Sequence, residues 1–142
     1  MSVIKSTTYY STAIIAIKGL VFKRVEFNIS QVVPDEKIIS DDLEYFKISP
    51  EFAAGLHRFY ERLNSADLKP VDFIKVQVTG PFTFLASVKD ENGRLLLHDE
   101  VFRQAAIKAL AMKLRWQINL FRKFGKPIIA FIDEPYLSTL GS

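Results

Sequence analysis

Phe73-Ile-Lys-Val-Gln-Val-Thr-Gly-Pro81 and, beyond the longest helical pattern in the chain, Ile128-Ile-Ala-Phe-Ile-Asp-Glu-Pro135 decide the fold. Both are runs rich in apolar and β-branched residues that stop at a Pro-containing turn, which predicts strands over 73–79 and 128–132. Between them Asp99 can cap a helix whose apolar repeat continues to Gly125 and Pro127. Arg122, Lys123 and Lys126 suit the negative end of its dipole. Strand, long helix and strand make a βαβ unit, with parallel strands, a right-handed crossover and both strand C-termini on one edge. Thr79-Gly80 and Asp133-Glu134 are thereby predicted to meet on one face of an α/β structure.

Along 73–79, Ile74, Val76 and Val78 take one face and Lys75, Gln77 and Thr79 the other. A central parallel strand is usually apolar on both faces. The polar face is therefore either the lumen side of an α/β barrel near its ligand-binding rim, or the solvent side of an edge strand. On the second strand Ile129, Phe131 and Asp133 share a face. Asp133 and Glu134, adjacent carboxylates before a turn-fixing Pro, suit contact with a cationic or hydroxyl group; the alternative is a solvated acidic turn. Phe84 to Val88 and Leu95 to Leu97 flank Asn92-Gly93 and predict a hairpin inserted between Gly80 and Asp99, either plain surface or a lid over a ligand.

Upstream, Ser49-Pro50-Glu51 has the order of an N-cap, a first helical residue and a first-turn acid. It predicts a helix ending near Asn64, with Phe52, Leu56, Phe59, Tyr60 and Leu63 on its apolar stripe. Ser40 can cap a short helix through Phe46, and residues 31–40 read as loop. Tyr9 to Ile17 and Leu20 to Ile29, either side of Lys18-Gly19, read as a hairpin or two short strands. The expectation is a single domain over 1–142 with a β-rich N-terminal extension over 1–39. On the long helix Lys108, Arg115, Arg122 and Lys126 form a basic stripe that reads as a solvated face. Lys113 and Gln117, at i and i+4, interrupt the apolar stripe instead. Buried polar groups need partners, so the pair is expected to bond a neighbouring helix or loop unless Lys113 snorkels to water. His57 reads as a partly exposed helix residue and His98 as a loop or capping residue.

Composition narrows the chemistry. The 142 residues contain no cysteine, which excludes disulfides, Cys-ligated zinc, iron–sulfur clusters and thiolate catalysis within the chain. Apolar runs are broken by Lys18, Lys23 and Arg24, and neither a spanning segment nor a signal peptide is visible, so a cytoplasmic protein without membrane contact is expected. The formal net charge of +3 comes without a recognised nucleic-acid motif and argues against such a partner.

Three segments in order, Val76-Gln-Val-Thr-Gly-Pro-Phe-Thr-Phe84, Ala111-Met-Lys-Leu-Arg-Trp-Gln117 and Phe131-Ile-Asp-Glu-Pro-Tyr136, resemble the cobalamin-independent methionine synthase family of the uroporphyrinogen decarboxylase-like superfamily. The resemblance covers about residues 40 to 142. It implies a (β/α)8 TIM barrel and methyl transfer to a thiol, with zinc activating the thiolate. It further implies that Asp133 holds the amino group of an amino-acid substrate, and that Thr79 and Gly80 line the same pocket. Gln77 and Glu134 join them as substrate-binding candidates from their places on the polar face and beside Asp133. A whole barrel takes about 250 residues. The chain is therefore expected to be a partial barrel of three or four βα units, inactive alone, that binds a small amino-acid or thiol substrate at its strand ends and associates with itself or with the remaining barrel half. The family's zinc ligands have no counterpart here, so no cofactor is expected in this chain. Alternatives are a uroporphyrinogen decarboxylase-like or corrinoid-linked methyltransferase, or a non-catalytic oligomerising fragment.

Overall fold

In a computed structural model the chain is described over residues 21–22, 35–90 and 92–141. Its elements are β1 (Val21–Phe22), α1 (Asp35–Ile39), a 3-10 turn (Leu43–Phe46), α2 (Ala54–Ser65), β2 (Ile74–Thr79), α3 (Pro81–Ser87), β3 (Lys89–Asp90), a second 3-10 turn (Leu96–His98), α4 (Glu100–Arg122), β4 (Ile128–Asp133) and a closing 3-10 segment (Pro135–Gly141). The fold is mixed α/β. β2 and β4 pair in parallel from Ile74 opposite Ile128 to Thr79 opposite Asp133, with α4 as part of the crossover, and β1 pairs in parallel with β3. The hairpin expected within residues 1–30 lies outside the described residues except for Val21–Phe22.

The alternation of β2 positions the sheet. Ile74 and Val76 are buried against Leu63 of α2 and Phe121 of α4, with Leu114, Ile118 and Ile128 closing the cluster. Lys75 and Gln77 stand on the open face, where the Lys75 ammonium lies 4.3 Å from the centre of the Phe131 ring on β4. α4 carries the remaining core. Ala106 and Leu110 pack with Phe84, Leu85, Val88 and Leu96, while Ala105, Ala109 and Met112 pack with Phe46. Its start is the expected one, with the Asp99 carboxylate accepting the N–H groups of Val101 and Phe102. Its exit is made by Gly125 at φ +66, a left-handed conformation that turns the chain into Pro127 and β4. No helix among the described residues is long and apolar enough to cross a membrane.

Three local expectations change. Phe84 to Ser87 belong to α3 rather than to a hairpin strand, because Pro81 starts a helix whose residues Phe84 and Leu85 turn inward together; the hairpin shrinks to a single antiparallel bridge between Lys89 and Leu95. Ser49-Pro50-Glu51 forms its own turn, the Ser49 carbonyl accepting from Phe52 and Ala53, so that α2 begins only at Ala54 and the Ser49 hydroxyl caps nothing. Within 31–40, residues Asp35–Ile39 are helical, and it is Asp42, not Ser40, that caps Leu43–Phe46 by accepting from Tyr45. Short polar side chains offer several competing local hydrogen bonds, which is why caps one or two residues apart are hard to separate by sequence.

Candidate functional site

The parallel register brings the ends of β2 and β4 together, and the two short motifs that follow them interlock. Gly80 donates its N–H to the Asp133 carbonyl at 2.8 Å. Immediately after, the Glu134 carboxylate accepts from Phe82 at 3.0 Å and Thr83 at 2.6 Å, the first free donors of α3. The Thr83 hydroxyl accepts in turn from the Tyr136 N–H at 3.2 Å, and the Phe82 and Tyr136 rings meet edge on at 5.8 Å. A Cβ on Gly80 would overlap the Glu134 carboxyl group, so the close approach depends on the absence of a side chain there. Glu134 therefore uses both carboxylate oxygens as a cap for a helix 50 residues earlier in the chain.

Asp133 ends the open face of β4 level with Thr79, and both border a cavity of about 260 Å³. Gln77 and Val78 of β2 also line it, as do Leu110, Lys113 and Gln117 from α4. Among the described residues, Ile48, Phe52, Ala53 and Leu56 also line it, as a further wall. The Ser-Pro-Glu turn positions that wall, and His57 fastens it through a 2.7 Å contact between Nε2 and the Ile48 carbonyl. The Gln117 side-chain amide donates to the Gln77 carbonyl at 3.1 Å, which fixes α4 against β2. One turn back along α4, about 6 Å, lies Lys113; two residues along β2, about 6.6 Å, lies Thr79. The two periods match, so Lys113 sits level with the strand ends.

Lys113 is 1% exposed, and it does not snorkel. Burial, which disfavours the charged amine, pushes its pKa down to about 8. The Gln117 amide bonds a strand carbonyl, and Lys113 is among the residues that line the cavity. Of the candidates, Asp133, Thr79 and Gln77 line the cavity; Gly80 and Glu134 lie beside it in the α3 clamp. None of residues 81–90 or 92–99 lines it, so the described part of the loop carries no lid position. His98 is exposed at the end of its 3-10 turn, and Arg115 of the basic stripe pairs with Asp41 at 2.7 Å. Sequence reasoning left out Lys113 and the Ile48–Leu56 wall; the polar interruption of the α4 stripe was the available signal for the former. Among the described residues no three His, Asp or Glu side chains group as a metal site. Comparison with protein-family models, curated proteins and solved structures finds no match for this chain.

Proposed function

We propose that the chain is part of a methionine-synthase-like methyltransferase barrel and binds a small thiol-bearing amino acid at the C-terminal ends of β2 and β4. The observation that carries this reading is the interlock itself. The Gly-Pro and Asp-Glu-Pro motifs on which the resemblance rests lie about 50 residues apart, and they meet through the Gly80–Asp133 and Glu134–Phe82/Thr83 hydrogen bonds. In this reading Asp133 receives the substrate amine, Thr79 and Gln77 border the rest of the substrate, and Glu134 holds the α3 turn in place. The zinc that activates the thiol in such enzymes would be held by residues outside this chain, and the chain alone is inactive. Homocysteine is the probe. A carboxylate–ammonium hydrogen bond contributes roughly 1.5 to 3 kcal/mol, so Asp133→Asn should weaken homocysteine binding about ten- to a hundredfold in calorimetry while the melting temperature holds. Unchanged affinity in the variant overturns the assignment.

A second reading, assembly without catalysis, draws on the outer side of β4. Ile132 belongs to the helix-facing register of the sheet yet is 59% exposed, and Phe131 on the other face is 43% exposed. A strand this exposed on both faces and, among the described residues, paired along one edge only is a surface for chain-to-chain pairing. The expected result is a light-scattering mass at least twice the 16.2 kDa of the chain. A stable monomer at micromolar concentration removes this reading.

A further inference from the structure

Ile48, Phe52 and Val78 are partly exposed and, among the described residues, belong to none of the three apolar clusters, yet all three line the cavity at the ends of β2 and β4. The segment that carries Ile48 and Phe52 is held by bonds of its own. The Ser49 carbonyl accepts from Phe52 at 3.1 Å and Ala53 at 3.0 Å, the Ile48 carbonyl accepts from His57 Nε2 at 2.7 Å, and the His57 ring lies 6.2 Å from that of Trp116 on α4. These bonds, rather than packing of Ile48 and Phe52 into the core, fix the wall and leave its apolar surface at the cavity. An apolar group that covers such surface is favoured by the area it removes from water. The same lining has a polar rim at Thr79 and Asp133, so a ligand with an ammonium group at one end and a short apolar chain at the other matches both parts.

We infer that the Ile48–Leu56 wall is the specificity-determining part of the site: it measures the side chain of an amine-bearing ligand by apolar area, so that an all-carbon chain is held as firmly as a thiol of equal length. The inference rests on the reading of Asp133 as the group that receives the amine, and goes beyond it by assigning the other end of the ligand. The side chains of Ile48, Phe52, Ala53 and Leu56 carry no polar atom, and His57 commits Nε2 to the Ile48 carbonyl. The wall therefore meets a sulfur atom as it would a methyl group, and a charged group there would lose its water without gaining a partner. At about 260 Å³ the cavity is smaller than typical drug-sized sites, so the chain it measures is short. Within that length each buried methylene should strengthen binding about fourfold.

The test is calorimetry on the whole chain with alanine, 2-aminobutyrate and norvaline, whose side chains grow by one methylene at a time, and with homocysteine and glutamate alongside. Affinity should rise about three- to fourfold per methylene, norvaline should match homocysteine within about threefold, and glutamate should bind at least about tenfold more weakly than norvaline. Phe52→Ser should cut the norvaline-to-alanine affinity ratio about threefold or more, and Phe52→Leu should restore it. A merely structural loss reduces the binding-competent fraction for both ligands alike and leaves that ratio unchanged. A flat series, or homocysteine bound more than about threefold tighter than norvaline, overturns the proposal, and the wild-type series decides the matter even if a variant does not fold. A flat series in which Asp133→Asn still weakens binding overturns the wall alone, whereas absence of binding by every member overturns the Asp133 reading and the wall together.

Discussion

Gly80→Ala is expected to lower stability by about 2 to 3 kcal/mol, a large effect for one added methyl group at a backbone conformation that alanine adopts freely. Gly80 has φ −71 and ψ 155, so no left-handed strain is involved. On an ordinary surface the change would be neutral or mildly stabilising through the unfolded chain. Here the new Cβ takes the space of the Glu134 carboxyl group, which must swing out and abandon the Phe82 and Thr83 N–H groups. Glu134→Ala should produce a loss of similar size by deleting the same two charge-assisted bonds. The double variant should then lose little more than either single one, with a coupling of about 2 kcal/mol in urea melts. Additive losses would mean that Gly80 and Glu134 act independently and that the clamp is not what fixes the α3 turn.

Lys113 gives the second large effect. Burial holds its folded pKa at about 8, below the 10.5 of an ordinary lysine. Between these values the unfolded chain binds the proton that the folded chain releases, so stability rises with pH across that window and the burden is fully present below it. The rise amounts to about 3 kcal/mol between pH 8 and 10.5. Lys113→Met, close in length and without a charge, should flatten the rise and stabilise the fold near pH 7 by about 2 kcal/mol. The difference between the two proteins' denaturant midpoints across pH isolates Lys113 from tyrosines and other lysines that titrate nearby. Equal pH dependence in both would show that the amine is better solvated than its burial indicates.

Much of the frame was legible because it rests on long patterns. β2, β4 and α4 each announce themselves by periodicity and by punctuation, from Asp99 at one end of the helix to Gly125 at the other. From these a parallel pair with adjacent strand ends follows. The site was half legible. Thr79, Gln77 and Asp133 could be placed by alternation, because alternation fixes a face. Lys113 could be recognised only as a polar break in an apolar stripe; that it borders a cavity depends on the match between helical rise and strand rise, a tertiary fact. Glu134 beside Asp133 looked equally available to a ligand, and its role as a cap for α3 depends on a contact 50 residues away that no local pattern carries. The misplaced start of α2 has a similar origin, since Ser49 and Pro50 satisfy a turn as readily as a helix.

Among the described residues α4 is shared by three apolar clusters: Ala106 and Leu110 belong to one, Ala105, Ala109 and Met112 to another, and Phe121 to the third. A single rod common to three cores makes them one cooperative unit, for none can open by unwinding its part of the helix without stripping contacts from a neighbour. The amides at the centre of α4 should therefore exchange with deuterium at one common, slow rate set by global unfolding, whereas α1, which contributes only a partly buried Ile38 to the Phe46 cluster, should exchange through local fraying.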